Sequence, residues 1–158
     1  LLIHRLLQTL PDLAPERRLA AGSGWLSRAA DLGDKERDAL LGEAMAILGL
    51  PGLEALFSPG SLAEVPLAAV LGNLRITGQV DRLAVTDTEV LIADYKTNRP
   101  PPLTLEGVDP SYVRQLAAYR SALRRLYPGR RVRCVLVWTD GPRLMELPDA
   151  MLAATGIG

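Results

Sequence analysis

The spacing of apolar residues changes near residue 60, and this change limits the folds open to the chain. Upstream of it, apolar residues recur at helical spacing. Three helical segments are predicted there: residues 1 to about 11, residues 15–30, and residues 34–48 with Asp34 as the N-cap. Gly49 and Pro51 end the last of them. Residues 1–58 are therefore expected to be mainly helical.

Downstream, the pattern becomes that of strands separated by short turns. The predicted strands are 62–70, 74–85, 89–97, 131–139 and a short one near 143–147. An amphipathic helix at 110–127 links the third strand to the fourth, and residues 149–155 form a closing helix. A three-strand meander, a crossover helix and a further strand predict an α/β fold with a mixed sheet flanked by helices. We expect one domain over residues 1–158, with the sheet core at 62–147.

Composition excludes several classes of protein. No apolar run reaches the about 18 residues of a membrane span, so no membrane contact is expected. The single cysteine, Cys134, excludes an internal disulfide and a multi-cysteine metal site, and it lies in an apolar run typical of a core strand. We therefore expect a reducing, cytoplasmic location. The chain opens at Leu1 in the middle of a helical pattern, which we interpret as a fragment of a longer protein.

Formal net charge is zero, which gives no support for nucleic-acid binding. However, residues 114–133 carry seven arginines and no acidic residue. This segment is either a local basic patch or the solvated face of a helix, and the sequence leaves both interpretations open.

Two aspartates are predicted to meet across a hairpin. If Thr86 faces Glu89 across a turn of even length, Asp81 lies directly opposite Asp94, with Cβ atoms roughly 4.5–5.5 Å apart. A turn of odd length would break this register. Lys96 is two residues beyond Asp94 and so shares its face.

Opposed carboxylates repel each other, and a divalent cation between them removes that cost. Hard oxygen ligands favour Mg²⁺, with Mn²⁺ as a substitute, and a nearby lysine is suited to phosphodiester hydrolysis. The alternative is a surface ladder of salt bridges, with Asp81 paired to Arg75 or Arg82 and Asp94 paired to Lys96.

Four motifs resemble those of the RecB-like branch of the PD-(D/E)xK nucleases. They are LLIHRLL at 1–7, GQVDRL at 78–83, IADYKTN at 92–98 and QLAAY at 115–119. Their order and combined span are most similar to the C-terminal nuclease domain of AddA-type helicase–nucleases. The resemblance implies a restriction-endonuclease-like core.

The resemblance also implies roles for residues. His4, Asp81, Asp94 and the Tyr95 carbonyl would be metal ligands, and Lys96 would be the catalytic lysine. Gln115 and Tyr119 would complete the site from the crossover helix. Glu64 matches an acidic residue in the family's first strand, although we favour a structural role for it. Independently of the resemblance, we predict contacts to DNA for Thr97, Arg99, Arg114, Arg120 and Arg124, with a simple loop as the alternative for Thr97 and Arg99.

The function implied is a Mg²⁺-dependent exodeoxyribonuclease acting in recombinational repair of double-strand breaks. Single strands would be supplied by a helicase motor in the same parent chain, beside an AddB-like partner subunit. The rival hypothesis is a catalytically inactive module of the same fold that binds DNA or docks a subunit. A nuclease of the restriction or phage type would share the chemistry but not the partners.

Overall fold

The computed structural model describes residues 2–29 and 31–158. Its helices are α1 (Leu2–Thr9), α2 (Pro15–Ala29), α3 (Asp34–Leu48), α4 (Pro110–Leu126) and α5 (Asp149–Ala153). Its strands are β1 (Leu62–Leu71), β2 (Leu74–Val85), β3 (Glu89–Lys96), β4 (Arg131–Trp138) and β5 (Arg143–Leu147). Every predicted helix and strand is confirmed with small shifts of its ends. The predicted ends at Leu1 and Ala30 lie outside the described residues.

The predicted cap of α3 is wrong by one residue. Gly33, in extended conformation, is the N-cap, and its backbone N–H donates to Glu36 Oε2 at 3.0 Å. Asp34 is the first helical residue, and its carboxylate pairs with Arg37 one turn along. The first turn therefore receives its capping bond from Glu36 rather than from Asp34.

The five strands form one mixed sheet in the order β1-β2-β3-β4-β5. Neighbours are antiparallel except for β3 and β4, which run parallel because α4 carries the chain back across the sheet. The α/β class predicted from the sequence is thus confirmed.

Each face of the sheet carries its own apolar layer. Val90 and Ile92 of β3 belong to the layer beneath α4. Leu91, Ala93 and Tyr95 belong to the layer beneath α1–α3. Strand β4 is likewise buried on both sides, as its apolar run predicts. Cys134 in β4 is fully buried, which confirms its expected place in the core.

Arg82 joins the helical layer to the sheet from a fully buried position. Its guanidinium donates to the carbonyls of Leu56 at 2.9 Å and Gln8 at 3.1 Å, and to Ser61 Oγ at 2.7 Å. It also approaches Asp12 Oδ1 at 3.3 Å. One cation therefore ties the end of α1, the segment before β1 and strand β2 together.

Within the described ranges, no helix has the length and apolar character needed to cross a membrane.

We expect Arg82→Met to lower the free energy of unfolding by about 2–4 kcal/mol, because buried acceptors would lose their donor. Urea denaturation measures this loss. Arg75→Met is the matched control, since Arg75 is exposed on the same strand, and a surface change costs about 0.5 kcal/mol or less. Equal losses in the two variants would contradict the anchoring role.

Candidate active site

The hairpin between β2 and β3 has the predicted register. Val85 pairs with Val90, and Arg82 pairs with Ala93. The turn is closed by a hydrogen bond from Thr86 N to Glu89 O at 2.8 Å. Asp81 and Asp94 are the next residues beyond the last pair, so the hairpin brings them side by side.

Asp81 lies at an interruption in the pairing between β1 and β2. The β1–β2 register pairs the residues on either side of Glu64 and Asp81 but omits these two. Asp81 Oδ2 instead accepts a hydrogen bond from the backbone N–H of Tyr95 at 2.7 Å. A side chain thus replaces a strand partner, and the carboxylate is fixed against the end of β3.

The carboxyl groups of Asp81 and Asp94 interact closely in a partly buried environment. Asp94 is only 7% exposed. Burial, together with the hydrogen bond and charge of Asp94, raises the pKa of Asp81 to about 7. The Tyr95 amide and the Lys96 ammonium act in the opposite direction. Asp81 therefore keeps its proton to a higher pH than an exposed carboxyl group does, because a second negative charge nearby disfavours its ionised form.

Lys96 projects over the same site. Its Nζ lies 2.6 Å from Asp94 Oδ2 and 3.8 Å from the centre of the Tyr112 ring. Lys96 is thus the cation that pairs with the Asp94 carboxylate. Half of the predicted salt-bridge ladder is present as the Asp94–Lys96 pair. Among the described residues, Asp81 pairs with neither Arg75 nor Arg82, and Arg82 is directed toward Asp12 instead.

His4 approaches the site from α1. Its ring centre lies 5.7 Å from that of Tyr95, and its buried Nε2 lacks a hydrogen-bond partner among residues 2–29 and 31–158. Burial is the main cause that lowers the pKa of His4, while the charges of Asp94 and Glu64 act to raise it. The imidazole is thus favoured in its neutral, ligand-competent form.

Glu64 lies closer to the site than the sequence suggested. Its Oε2 accepts a hydrogen bond from Gln8 Nε2 at 2.8 Å, and it lines a cavity of about 540 Å³ with His4. Its φ of 49° is rare for a residue other than glycine and is a form of backbone strain found at functional sites. No sequence signal marks a glutamate for this conformation.

Gln115 and Tyr119 come together on one side of α4. Gln115 Nε2 donates to the Tyr119 hydroxyl at 3.1 Å. The hydroxyl lies against Gly78, where an added Cβ would meet it at 2.1 Å. Gly78 is therefore the point of close approach between α4 and β2. In the described part of the chain, neither side chain hydrogen-bonds to the aspartates, so their catalytic role stays a prediction.

The structure alters the prediction for two of the proposed DNA contacts. Arg120 is 3% exposed and donates to Asp149 at 3.0 Å, so we no longer expect it to reach a phosphate. Arg99 is exposed but pairs with Glu43 and Asp140. Thr97, Arg114 and Arg124 are exposed and stay candidates.

Acidic residues from elsewhere in the fold neutralise part of the arginine-rich segment. Arg133 pairs with Glu89 and Glu146, and Arg131 approaches Asp149. The segment is therefore less basic in space than in sequence.

Comparison with known proteins gives the family. A profile of the PD-(D/E)XK nuclease superfamily matches residues 1–149. The chain belongs to this superfamily. No curated protein matches it in sequence.

Among solved structures, a protein described as "Putative exonuclease" from Eubacterium rectale has the same fold, with a TM-score of 0.55 at 12% identity. The match covers 96% of this chain and 61% of that protein, so the chain spans less than two thirds of its length. SSO0001 gives a TM-score of 0.38 at 15% identity, over 98% of this chain and 71% of that one. VC1899 from Vibrio cholerae gives 0.36 at 16% identity, over 98% and 45%.

The donor set of this PD-(D/E)XK domain fits a divalent cation. Two carboxylates lie together, and the buried His4 Nε2 lacks a hydrogen-bond partner in the described ranges. The described residues nevertheless contain no group of three or more His, Cys, Asp or Glu side chains close enough to hold a metal ion. The places of His4 and the Tyr95 carbonyl in the coordination shell therefore stay predictions.

The carboxylate pair predicts a pH-dependent stability in chelator-treated protein. Asp81 has a higher pKa in the folded chain than its ordinary value of 3.8. It therefore binds its proton more tightly when folded, and its stabilising contribution is lost as pH rises from about 4 through about 7. Asp81→Asn should raise stability on the order of 1 kcal/mol at pH 8, or about 2–4 °C in Tm, with little gain at pH 4.

Thermal unfolding at both pH values measures this difference. Asp87→Asn, which alters an exposed carboxyl in the hairpin turn, is the control and should show no such pH-dependent gain. The same Tm change at both pH values for Asp81→Asn would argue against the close pair.

Proposed function

We propose that this PD-(D/E)XK domain is a metal-dependent DNA nuclease that hydrolyses phosphodiester bonds. The observation that supports it most is the convergence of Asp81, Asp94 and Lys96 at the end of one hairpin. The fold keeps two acidic groups together against their repulsion and places an ammonium beside them. Carboxyl groups with raised pKa values beside a specific charged partner cluster at functional sites.

Each residue has a proposed role in the reaction. Asp81 and Asp94 would hold Mg²⁺ or Mn²⁺, with His4 and the Tyr95 carbonyl as further ligands. When bound, the cation supplies Lewis-acid stabilisation of the charge that develops on the phosphate. Lys96 would donate to the attacking water or to the phosphate oxygens, because its Nζ is held between Asp94 and the Tyr112 ring.

Gln115 and Tyr119 are proposed to shape the site rather than to carry protons. They bond to each other, and Tyr119 sets the distance between α4 and β2 at Gly78. Arg114 and Arg124, both exposed on α4, would follow the DNA backbone and make binding sensitive to salt.

The biological setting proposed is narrower than the superfamily. The order of motifs favours an exonuclease that degrades single strands as part of a helicase–nuclease in double-strand break repair. Under this proposal, the parent chain carries the motor, and an AddB-like subunit is the partner.

Cleavage of an end-labelled single-stranded oligonucleotide with Mg²⁺ tests the site. We expect Asp94→Ala and Lys96→Ala each to lower the rate by about 100-fold or more, because each removes charge stabilisation from the transition state. Asp87→Ala, in the exposed hairpin turn, should keep the rate of the parent domain. Circular dichroism checks that each variant is folded. Full activity in both site variants would rule out this site.

A catalytically inactive DNA-binding or docking module is the second candidate. It is favoured by the lack, among the described residues, of a preformed cluster of three ligating side chains. Calorimetry with Mn²⁺ separates the two hypotheses. We expect saturable binding at millimolar metal or below that disappears in Asp94→Ala, whereas no binding by the parent domain would favour the inactive module.

A further inference from the structure

One face of the β1–β2 hairpin is left uncovered by the helices of the described part of the chain. In β2, Ile76 and Val80 belong to the apolar layer beneath α4, and Gly78 lies against Tyr119 of that helix. The layer beneath α1–α3 takes only Ala84 from these two strands. Residues that alternate with the buried ones are exposed on the other side, and the strand register joins them in three pairs. We refer to these residues as the open face: Pro66 with Gln79, Ala68 with Thr77, and Val70 with Arg75.

The open face leads to the candidate active site. Gln79 is two residues before Asp81 on β2, and Pro66 is two residues after Glu64 on β1. Glu64 in turn lines a cavity of about 540 Å³ with His4. A ligand that lies along the open face can therefore continue to the carboxylates at which the metal is proposed.

The charges at the hairpin favour an anionic ligand. Residues 65–80 contain one charged side chain, Arg75, and no acidic one. Arg75 forms no salt bridge with any described residue. Arg125 of α4 reaches the same end of the hairpin, where its guanidinium donates to the Val70 carbonyl at 2.9 Å. Two positive charges without a carboxylate partner therefore attract an anion to this end.

The spacing of the polar side chains fits an extended polymer. Arg75, Thr77 and Gln79 follow one another at two-residue intervals, which places neighbouring side chains roughly 6.4–6.8 Å apart. All three can donate a hydrogen bond. Neighbouring phosphates of an extended strand are separated by a similar distance, so successive phosphates can meet successive donors. On β1, the short side chains of Pro66 and Ala68 allow such a strand to lie close to the sheet.

We propose that the open face binds the sugar–phosphate backbone of the DNA strand beside the candidate active site. Arg75 then contacts a phosphate about three nucleotides from the reacting one, since it is six residues from Asp81 along β2. This surface is distinct from the exposed arginines of α4, because α4 packs on the opposite face of the hairpin. The inference rests on the proposed nuclease function and adds a binding surface to it.

Binding measured in EDTA, where the strand stays intact, tests the inference. The probe is a fluorescein-labelled single-stranded oligonucleotide, and its Kd is measured over a series of salt concentrations. Arg75→Met should raise the Kd about fivefold at low salt and make the slope of log association constant against log salt concentration less steep by about 0.7, because one phosphate contact is lost. Arg17→Met is the matched control, since it removes an exposed arginine of α2, and it should keep the slope of the parent domain.

A second variant adds a charge instead of removing a contact. Ala68→Glu places a carboxylate on the open face opposite Thr77, where it repels a phosphate and should raise the Kd about tenfold. Ala20→Glu, at an exposed position of α2, is its control and should keep the Kd of the parent domain. Circular dichroism checks that all four variants are folded.

An unchanged Kd and salt slope in Arg75→Met would overturn the inference and favour a protein partner on the open face. Equal losses in Arg75→Met and Arg17→Met would also overturn it, because net charge alone would then explain the binding. So would a parent domain that does not bind the strand at low salt. Because Arg75 is exposed, its variant decides the matter even if Ala68→Glu fails to fold.

The result is separable from the proposed function. In the cleavage assay, Arg75→Met should raise KM and keep kcat, because the open face binds the strand away from the reacting phosphate. A domain that cuts DNA while Arg75→Met keeps the parent Kd loses only this inference. A domain that binds through the open face without cutting loses only the nuclease assignment.

Discussion

The repulsion between Asp81 and Asp94 is the constraint around which this domain is arranged. The hairpin register brings the two carboxyl groups together in a partly buried place, where the ionised form of Asp81 is disfavoured. Two groups reduce that cost: the Tyr95 amide donates to Asp81, and the Lys96 ammonium pairs with Asp94. The interruption in β1–β2 pairing at Glu64 leaves room for this cluster at the end of β3.

Two successive residues of β2, Asp81 and Arg82, have different roles. Arg82 points into the helical layer, where hydrogen bonds to backbone carbonyls and to Ser61 Oγ offset the free-energy cost of burying its charge. Asp81, one residue earlier, contributes its carboxylate to the candidate site. Because side chains of a strand alternate between faces, one short sequence anchors the helices and also places an acid. The residue that anchors the helical layer and the residue that contributes an acid to the candidate site are therefore adjacent in the backbone.

Local patterning was enough to predict the elements and the hairpin register, since both follow from hydrophobic period and turn length. What it could not supply depends on residues distant in sequence. Arg120 appears in a run of arginines, yet it is buried and paired with Asp149. Tyr112 was not among the predicted site residues, and only the crossover of α4 brings its ring against Lys96. The roles of His4, Gln115 and Tyr119 came from a resemblance, and they await measurement.

The shortness of α1 has a consequence for the domain's single histidine. A helix of eight residues is too short to persist alone in water, because its few internal bonds barely offset nucleation. It exists here because Leu6 and Leu7 are buried and because Arg82 holds the Gln8 carbonyl. His4 is therefore carried on a helix that depends on its contacts with the rest of the fold. The orientation of His4 depends on the contacts that hold α1, so fraying of α1 would disorder the imidazole while leaving the aspartates in position.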